Sequence, residues 1–159
     1  VDSPVDLERL TVRQIEKLIY PIGFYRTKAR QFKALPGVLG GRFGGRIPDT
    51  IDGLCELPGV GRKVANLVAA VAFNKQAICV DVHVHRICNR LGLLRTRTPF
   101  ETEMALRRIL PRRYWITWNG YLVSYGQTIC RPVNPLCDRC RIARWCNRVG
   151  VETRYQPSV

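Results

Sequence analysis

No apolar run in this sequence can cross a bilayer: the longest, such as Leu67 to Phe73, fall far short of the roughly 20 residues a spanning helix needs. No basic-then-apolar segment opens the chain, so no secretory signal is visible. The first residue is Val1 rather than Met, which fits a processed or trimmed product. No stretch alternates apolar and polar residues long enough to require a sheet, and there is neither a solenoid-period repeat nor a low-complexity tract. Acidic residues are scarce, 12 Asp and Glu against 26 Lys and Arg, which leaves a net charge of +14 and a pI near 10.1. These absences exclude a membrane span and a β-rich fold and point to an intracellular protein.

What is present fits a soluble all-α protein. The 46% hydrophobic and 24% charged contents are globular values, and 159 residues allow one ordinary core or two small subdomains sharing a cleft. The positive excess lies in the body of the chain rather than in a detachable tail, and Arg outnumbers Lys 21 to 5. Such a field attracts polyanions, and the guanidinium fork suits bidentate contact with phosphate. Nucleic acid is the favoured partner; an acidic membrane or protein partner, or a merely solvated basic face, are the alternatives.

The helices announce themselves by their caps. Ser3 and Pro4 predict a short first turn. Thr11 with Gln14 forms a capping box opening a helix whose Val12, Ile15, Leu18 and Ile19 share a face. Pro21 and Gly23 break it, and a second helix begins near Phe24 carrying Arg26, Lys28, Arg30 and Lys33. Pro36 and the glycines that follow predict a kinked helix end and loop over 36–48. Thr50 caps a short helix to about Glu56, and a strongly apolar helix runs from about Arg62 to Phe73. Asp81 caps a helix to about Leu91, Thr98-Pro99 with Glu101 opens another to Leu110, and one more spans about Tyr114 to Gln127. The expected domains are a helical one over 1–110, with a hairpin at about 50–74, and 111–159, a helix plus a four-cysteine segment.

Between two helices stands Leu57-Pro58-Gly59-Val60-Gly61. The glycines permit a tight turn, and Leu57 and Val60 can anchor it. Freed N–H groups at Gly59 and Gly61, backed by the positive end of the next helix and by Arg62, suit one phosphate of a nucleic-acid strand. This is a helix-hairpin-helix pattern, which grips backbone without reading sequence. Lys63 follows in the first turn of the new helix, where the helix dipole and Arg62 both favour a neutral, nucleophilic amine. Asp81 sits at another helix start, where the dipole favours its carboxylate. The bland readings are a solvent-facing lysine and a simple cap; the functional readings stand or fall together. His83 and His85, two apart on one helix, point in different directions and do not share a metal.

Seven cysteines in a chain of this kind point to metal rather than disulfides. Cys55, Cys79 and Cys88 lie among apolar residues and read as buried, inert thiols. Cys130, Cys137, Cys140 and Cys146 are spaced to converge on one centre. Spacing alone leaves zinc and an iron–sulfur cluster open.

The runs IGFYRTKA (22–29), LPGVGRKVANLVAAVAF (57–73), VDVHVHRICNRLGL (80–93) and NGYLVSYGQTIC (119–130) resemble the endonuclease III family of DNA glycosylases. The likeness covers nearly the whole chain from about Asp6 to Cys146. It implies a base-excision enzyme for oxidised pyrimidines, with Lys63 as nucleophile, Asp81 assisting, and both opening into one groove. It also implies a [4Fe–4S] cluster on Cys130, Cys137, Cys140 and Cys146, held for structure, with Arg131, Arg139, Arg141 and Arg144 nearby to meet phosphate. The DNA contacts it suggests are Leu57, Gly59, Val60, Gly61, Arg62, His83 and Arg131. The partner would be double-stranded DNA with a damaged base or abasic site, bound by a monomer without a membrane. The compartment would be the cytoplasm (nucleoid) of a prokaryote, or the nucleus or mitochondrion of a eukaryote. Family members carry additional N-terminal helices with no counterpart in these residues, which implies a trimmed chain or a partner that supplies them. Two rivals remain: a non-enzymatic DNA-binding module keeping hairpin and cluster, and an electron-transfer protein.

Overall fold

The computed structural model describes residues 3–151, and among them every regular element is helical. The expected all-α class holds. The chain forms two compact units, Val1–Ala69 and Ala70–Val159. The boundary expected near residue 110 falls within the second compact unit. No helix among the described residues is long and apolar enough to cross a membrane.

In the first unit a 3₁₀ turn over Pro4–Glu8 leads to α1 (Val12–Ile19), α2 (Tyr25–Phe43), α3 (Ile51–Cys55) and the start of α4 (Arg62–Val71). The Thr11 box forms as its residues demand: the Gln14 side chain accepts the Thr11 N–H at 2.8 Å, and Thr11 Oγ1 accepts the Gln14 N–H. α1 packs on α2 through buried Ile15. Lys33 Nζ donates to the Glu8 carbonyl at 2.7 Å, tying α2 to the opening turn.

The loop expected over 36–48 is corrected. α2 continues through Pro36 to Phe43. Pro36 has no N–H for the Phe32 carbonyl, a loss that ordinarily bends or stops a helix. Here Pro36 is buried on the same face as Ala29 and Leu39, so packing holds the backbone helical where local propensity would end it. The stop comes at Gly44 and Gly45, both left-handed, with the Gly45 N–H returning to the Leu39 carbonyl at 2.9 Å.

The second unit contains α5 (Val82–Leu91), α6 (Pro99–Ile109) and α7 (Trp115–Thr128), followed by 3₁₀ turns at Cys137–Arg139 and Ala143–Trp145. α5 packs against both α6 and α7. Their shared core holds Ile78, Val80, Val84, Ile87, Leu106, Trp115 and Leu122. Thr98 caps α6 as expected, but the Glu101 carboxylate closes on the Arg97 N–H rather than on Thr98, so the box is only half formed. Cys79 and Cys88 are buried, and burial pushes the Cys88 thiol up to about 11, which keeps it protonated and inert. Cys55 departs from its expected burial. It ends α3 one step around the helix from buried Leu54 and so faces solvent.

Candidate active site and nucleic-acid interface

The hairpin between α3 and α4 is built by two residue types. Pro58 presets one φ of the turn, Gly59 takes φ +78, and the Val60 N–H closes onto the Leu57 carbonyl at 3.1 Å. Leu57 is 6% exposed and anchors the turn; Val60 is half-buried. The N–H groups of Gly59 and Gly61 donate to no acceptor among the described residues. A Cβ at Gly61 would meet nothing within 4 Å, so the space beside Gly61 is open. A Cβ at Gly59 would lie 2.3 Å from Gln31 Oε1, so α2 packs directly against the turn.

Gly59→Ala therefore meets two separate penalties. The left-handed backbone costs an L-residue about 1–2 kcal/mol, and Gln31 must also move. Thermal denaturation is expected to show a loss of at least that size, with Gln31→Ala restoring only the steric share. Full rescue by Gln31→Ala would mean that the backbone imposes nothing.

Lys63 is exposed in the first turn of α4 and belongs to the first unit. Asp81 belongs to the second unit and caps α5, its Oδ1 accepting the N–H groups of both His83 and Val84 at 2.9 Å. Its second oxygen accepts no bond among the described residues, so the carboxylate is oriented at one atom and available at the other.

His83 is half-buried beside α7. Its Nδ1 receives a bond from Arg86 Nη2 at 3.1 Å, and a guanidinium has no lone pair to offer in return. Neutral His83 consequently carries its proton on Nε2. The same Arg86 nitrogen donates to the carbonyls of Gly126 and Cys130 at 3.1 and 2.8 Å. Only a glycine fits at 126, because a Cβ there would lie 2.4 Å from His83 Nδ1. Burial and the neighbouring Arg90 lower Arg86, with Cys130 and Asp81 opposing them. His85 faces the other way, bonded to Thr102 of α6 at 2.7 Å, so the two histidines diverge as their spacing requires.

Cys130, Cys137, Cys140 and Cys146 line one cavity with an apolar floor of Ile87, Leu91 and Ile129. No group of three or more His, Cys, Asp or Glu among the described residues is arranged to hold a metal ion as it stands. Three of the thiols receive donors: Arg90 Nη1 to Cys130 at 3.6 Å, the Tyr125 hydroxyl to Cys140 at 3.1 Å, and the Arg148 N–H to Cys146 at 3.4 Å. Burial and the Cys140 contact push Tyr125 up to about 12, so its proton stays available to the sulfur. Burial also raises Cys137, with Arg148 opposing and the other three thiols reinforcing the rise. Arg131, Arg139, Arg141 and Arg144 are all exposed around this segment.

One feature has no signal in the sequence. Phe24 is 86% exposed and takes φ +58 at the start of α2. A bulky side chain held left-handed in open solvent is strained and gains nothing from burial. Arg26 and Arg30, both exposed, follow it on the same helix.

The profile of the HhH-GPD superfamily base excision DNA repair protein matches residues 1–112. Endonuclease III of Thermotoga maritima is 46% identical over 144 residues, covering 91% of this chain and 68% of the relative. Endonuclease III-like protein 1 of Gallus gallus is 46% identical over 143 residues, covering 88% of this chain and 50% of the relative. Endonuclease III homolog 1 of Arabidopsis thaliana, chloroplastic, is 40% identical, and the chain spans 42% of it. Among solved structures, a trapped endonuclease III–DNA covalent intermediate in an estranged-adenine complex superposes with a TM-score of 0.87 at 36% identity, covering 93% of this chain and 70% of that one. A thermostable thymine-DNA glycosylase gives 0.80 at 28% identity, with the same coverage.

Proposed function

Since the chain belongs to the HhH-GPD superfamily of base excision DNA repair proteins, within it to the endonuclease III family, we propose that it binds damaged duplex DNA as a bifunctional glycosylase and abasic-site lyase. The observation that carries this reading is an exposed Lys63 immediately following an open hairpin whose Gly59 and Gly61 N–H groups are unengaged. The hairpin takes a backbone phosphate through those donors with Arg62 beside them, and Leu57 and Val60 keep the turn in place. The target nucleotide leaves the stack so that its C1′ comes within reach of Lys63.

The amine nitrogen of Lys63 forms a bond to C1′ as the C1′–base bond breaks, and the base leaves with a proton. Asp81 takes the proton from the amine and, through its uncapped oxygen, balances the positive charge that gathers on the sugar. The C1′–O4′ bond of this adduct then breaks, O4′ taking the proton that Asp81 holds, and leaves an open-chain iminium; it withdraws electrons, so the C2′ proton is lost and the C3′–O bond breaks, releasing the 3′ phosphate. Water then hydrolyses the imine and returns Lys63. Oxidised pyrimidines are the proposed substrates, bound by a monomer. The compartment is the one that holds the DNA: cytoplasm, nucleus or mitochondrion according to the cell. His83 is the proposed DNA contact on α5, through Nε2–H, its other nitrogen being taken by Arg86.

The four thiols lining one cavity supply the all-thiolate donor set that a [4Fe–4S] cluster takes, and membership of the endonuclease III family favours the cluster over zinc. When bound, the cluster would fix the segment from Cys130 to Cys146 and so hold Arg131 toward phosphate. The functional division is then 1–110 for the helical, hairpin-bearing part and 111–159 for the cluster part.

Phe24 reads as an apolar wedge for the duplex, its ring free to enter a gap between bases while nearby arginines meet phosphate. Phe24→Gly separates stability from binding. Releasing the left-handed strain stabilises the fold by up to about 1 kcal/mol. Losing a stacking ring, worth roughly 1–3 kcal/mol, weakens binding to a lesion duplex by on the order of tenfold. Unchanged affinity in fluorescence anisotropy would dismiss the wedge.

The test of the whole reading is borohydride reduction with duplexes carrying a panel of oxidised pyrimidines or an abasic site. A covalent adduct is expected. Tight duplex binding without an adduct on any substrate would favour a non-enzymatic module.

A further inference from the structure

The last turn of α5 does more than end a helix. Arg90 Nη1 donates to the Arg131 carbonyl at 2.6 Å and Nη2 to the Pro132 carbonyl at 2.7 Å, while Nη1 also reaches Cys130 Sγ at 3.6 Å. The backbone carbonyl of the same residue accepts the Val149 N–H at 3.0 Å, and that of Leu91 accepts the Asn147 N–H at 3.2 Å. Next to it Gly92 takes φ +76, and the Asn147 side chain occupies the space a Cβ would need, 2.2 Å from its ideal position. The segment after the first of the four cysteines and the segment after the last are therefore both hung on residues 90–92.

We propose that Arg90 is a positioning residue that clamps the 131–132 backbone to the four-cysteine site, so that Arg131 meets phosphate in a geometry set by α5. The inference rests on the reading of the four thiols as cluster ligands and of Arg131 as a phosphate contact. Two carbonyls and a sulfur are held at once by one planar fork. An ammonium is a point donor and cannot span the same three acceptors. Arg90 acts through the loop and does not itself meet DNA, because both terminal nitrogens are turned onto protein acceptors. Removing it frees the Arg131 backbone, and an Arg131 that is no longer aimed contributes little to binding.

The experiment is a double-mutant cycle on the iron-loaded protein, using a duplex with a reduced abasic site that cannot form a Schiff base. Arg131→Ala is expected to weaken binding several-fold in the wild-type background and by less than about twofold in the Arg90→Gln background. Arg90→Lys should behave like Arg90→Gln despite keeping its charge. Adduct formation at saturating abasic DNA should stay close to wild type in both Arg90 variants, placing the defect in binding rather than chemistry. Loss of iron from Arg90→Gln but not from Arg131→Ala would also support the clamp, since both ends of the loop depend on residue 90. Equal costs of Arg131→Ala in the two backgrounds, or full affinity in Arg90→Lys, would overturn it. Wild-type protein that carries no iron or does not bind the duplex would bring down the underlying reading as well, whereas loaded, DNA-binding wild type with an additive cycle overturns this inference alone.

Discussion

Lys63→Ala is expected to leave folding and duplex affinity nearly intact while reducing Schiff-base trapping by about 10⁴-fold or more, the scale on which removal of a nucleophile acts. The fold is spared because Lys63 is exposed in the first turn of α4, where alanine is a better helix former than lysine and no packing is lost. A single surface charge contributes little beside the +14 carried by the chain, so affinity falls only slightly. Lys63→Arg makes the result specific. It keeps the positive charge beside the hairpin, but a guanidinium stays protonated and has no lone pair for C1′. It should therefore bind like the wild type and trap like the alanine variant. Covalent adduct from Lys63→Arg at anything near the wild-type rate would place the nucleophile elsewhere and leave the hairpin as a DNA grip alone. Measured together, melting temperature, anisotropy and gel-resolved adduct keep the three effects apart.

Much of this architecture is legible in the chain because it is written by local rules. Thr11 with Gln14, Thr50, Asp81 and Thr98 each open a helix where their side chains can accept the first N–H groups. Pro58-Gly59 dictates its turn through one fixed φ and one positive φ. Pro36 is illegible locally because its cost is local while its compensation is not: the burial that keeps α2 helical through it depends on a face shared with Ala29 and Leu39 and cannot be weighed from neighbouring residues. Cys55 fails for a related reason. A five-residue helix gives too little periodicity to tell the face of Leu54 from the face beside it. The four cysteines could be grouped by spacing, but the clamp at Arg90 could not, because it joins residue 90 to carbonyls more than forty positions away. Phe24 is the hardest case. Nothing local requires an aromatic residue to be left-handed and open to solvent, and its meaning emerges only beside the basic helix it begins.

Asp81→Asn gives the second large effect and the sharper discrimination. An N-cap needs only an oxygen that accepts, and asparagine ranks with aspartate there, so the bonds from the His83 and Val84 N–H groups persist. Losing the charge at the helix start costs about 0.3–1 kcal/mol, a small drop in melting temperature. If Asp81 only capped α5, activity would follow stability and barely change. If its uncapped oxygen manages the Lys63 proton and the sugar's charge, excision falls by roughly 10²–10⁴-fold while the fold stays intact. Asp81→Ala supplies the contrast. It removes the cap as well, for an additional loss of about 1 kcal/mol, yet should be little worse than asparagine in the chemical step. Single-turnover excision on a saturating lesion duplex reads the step directly, and a wild-type rate in Asp81→Asn would reduce this carboxylate to a helix cap.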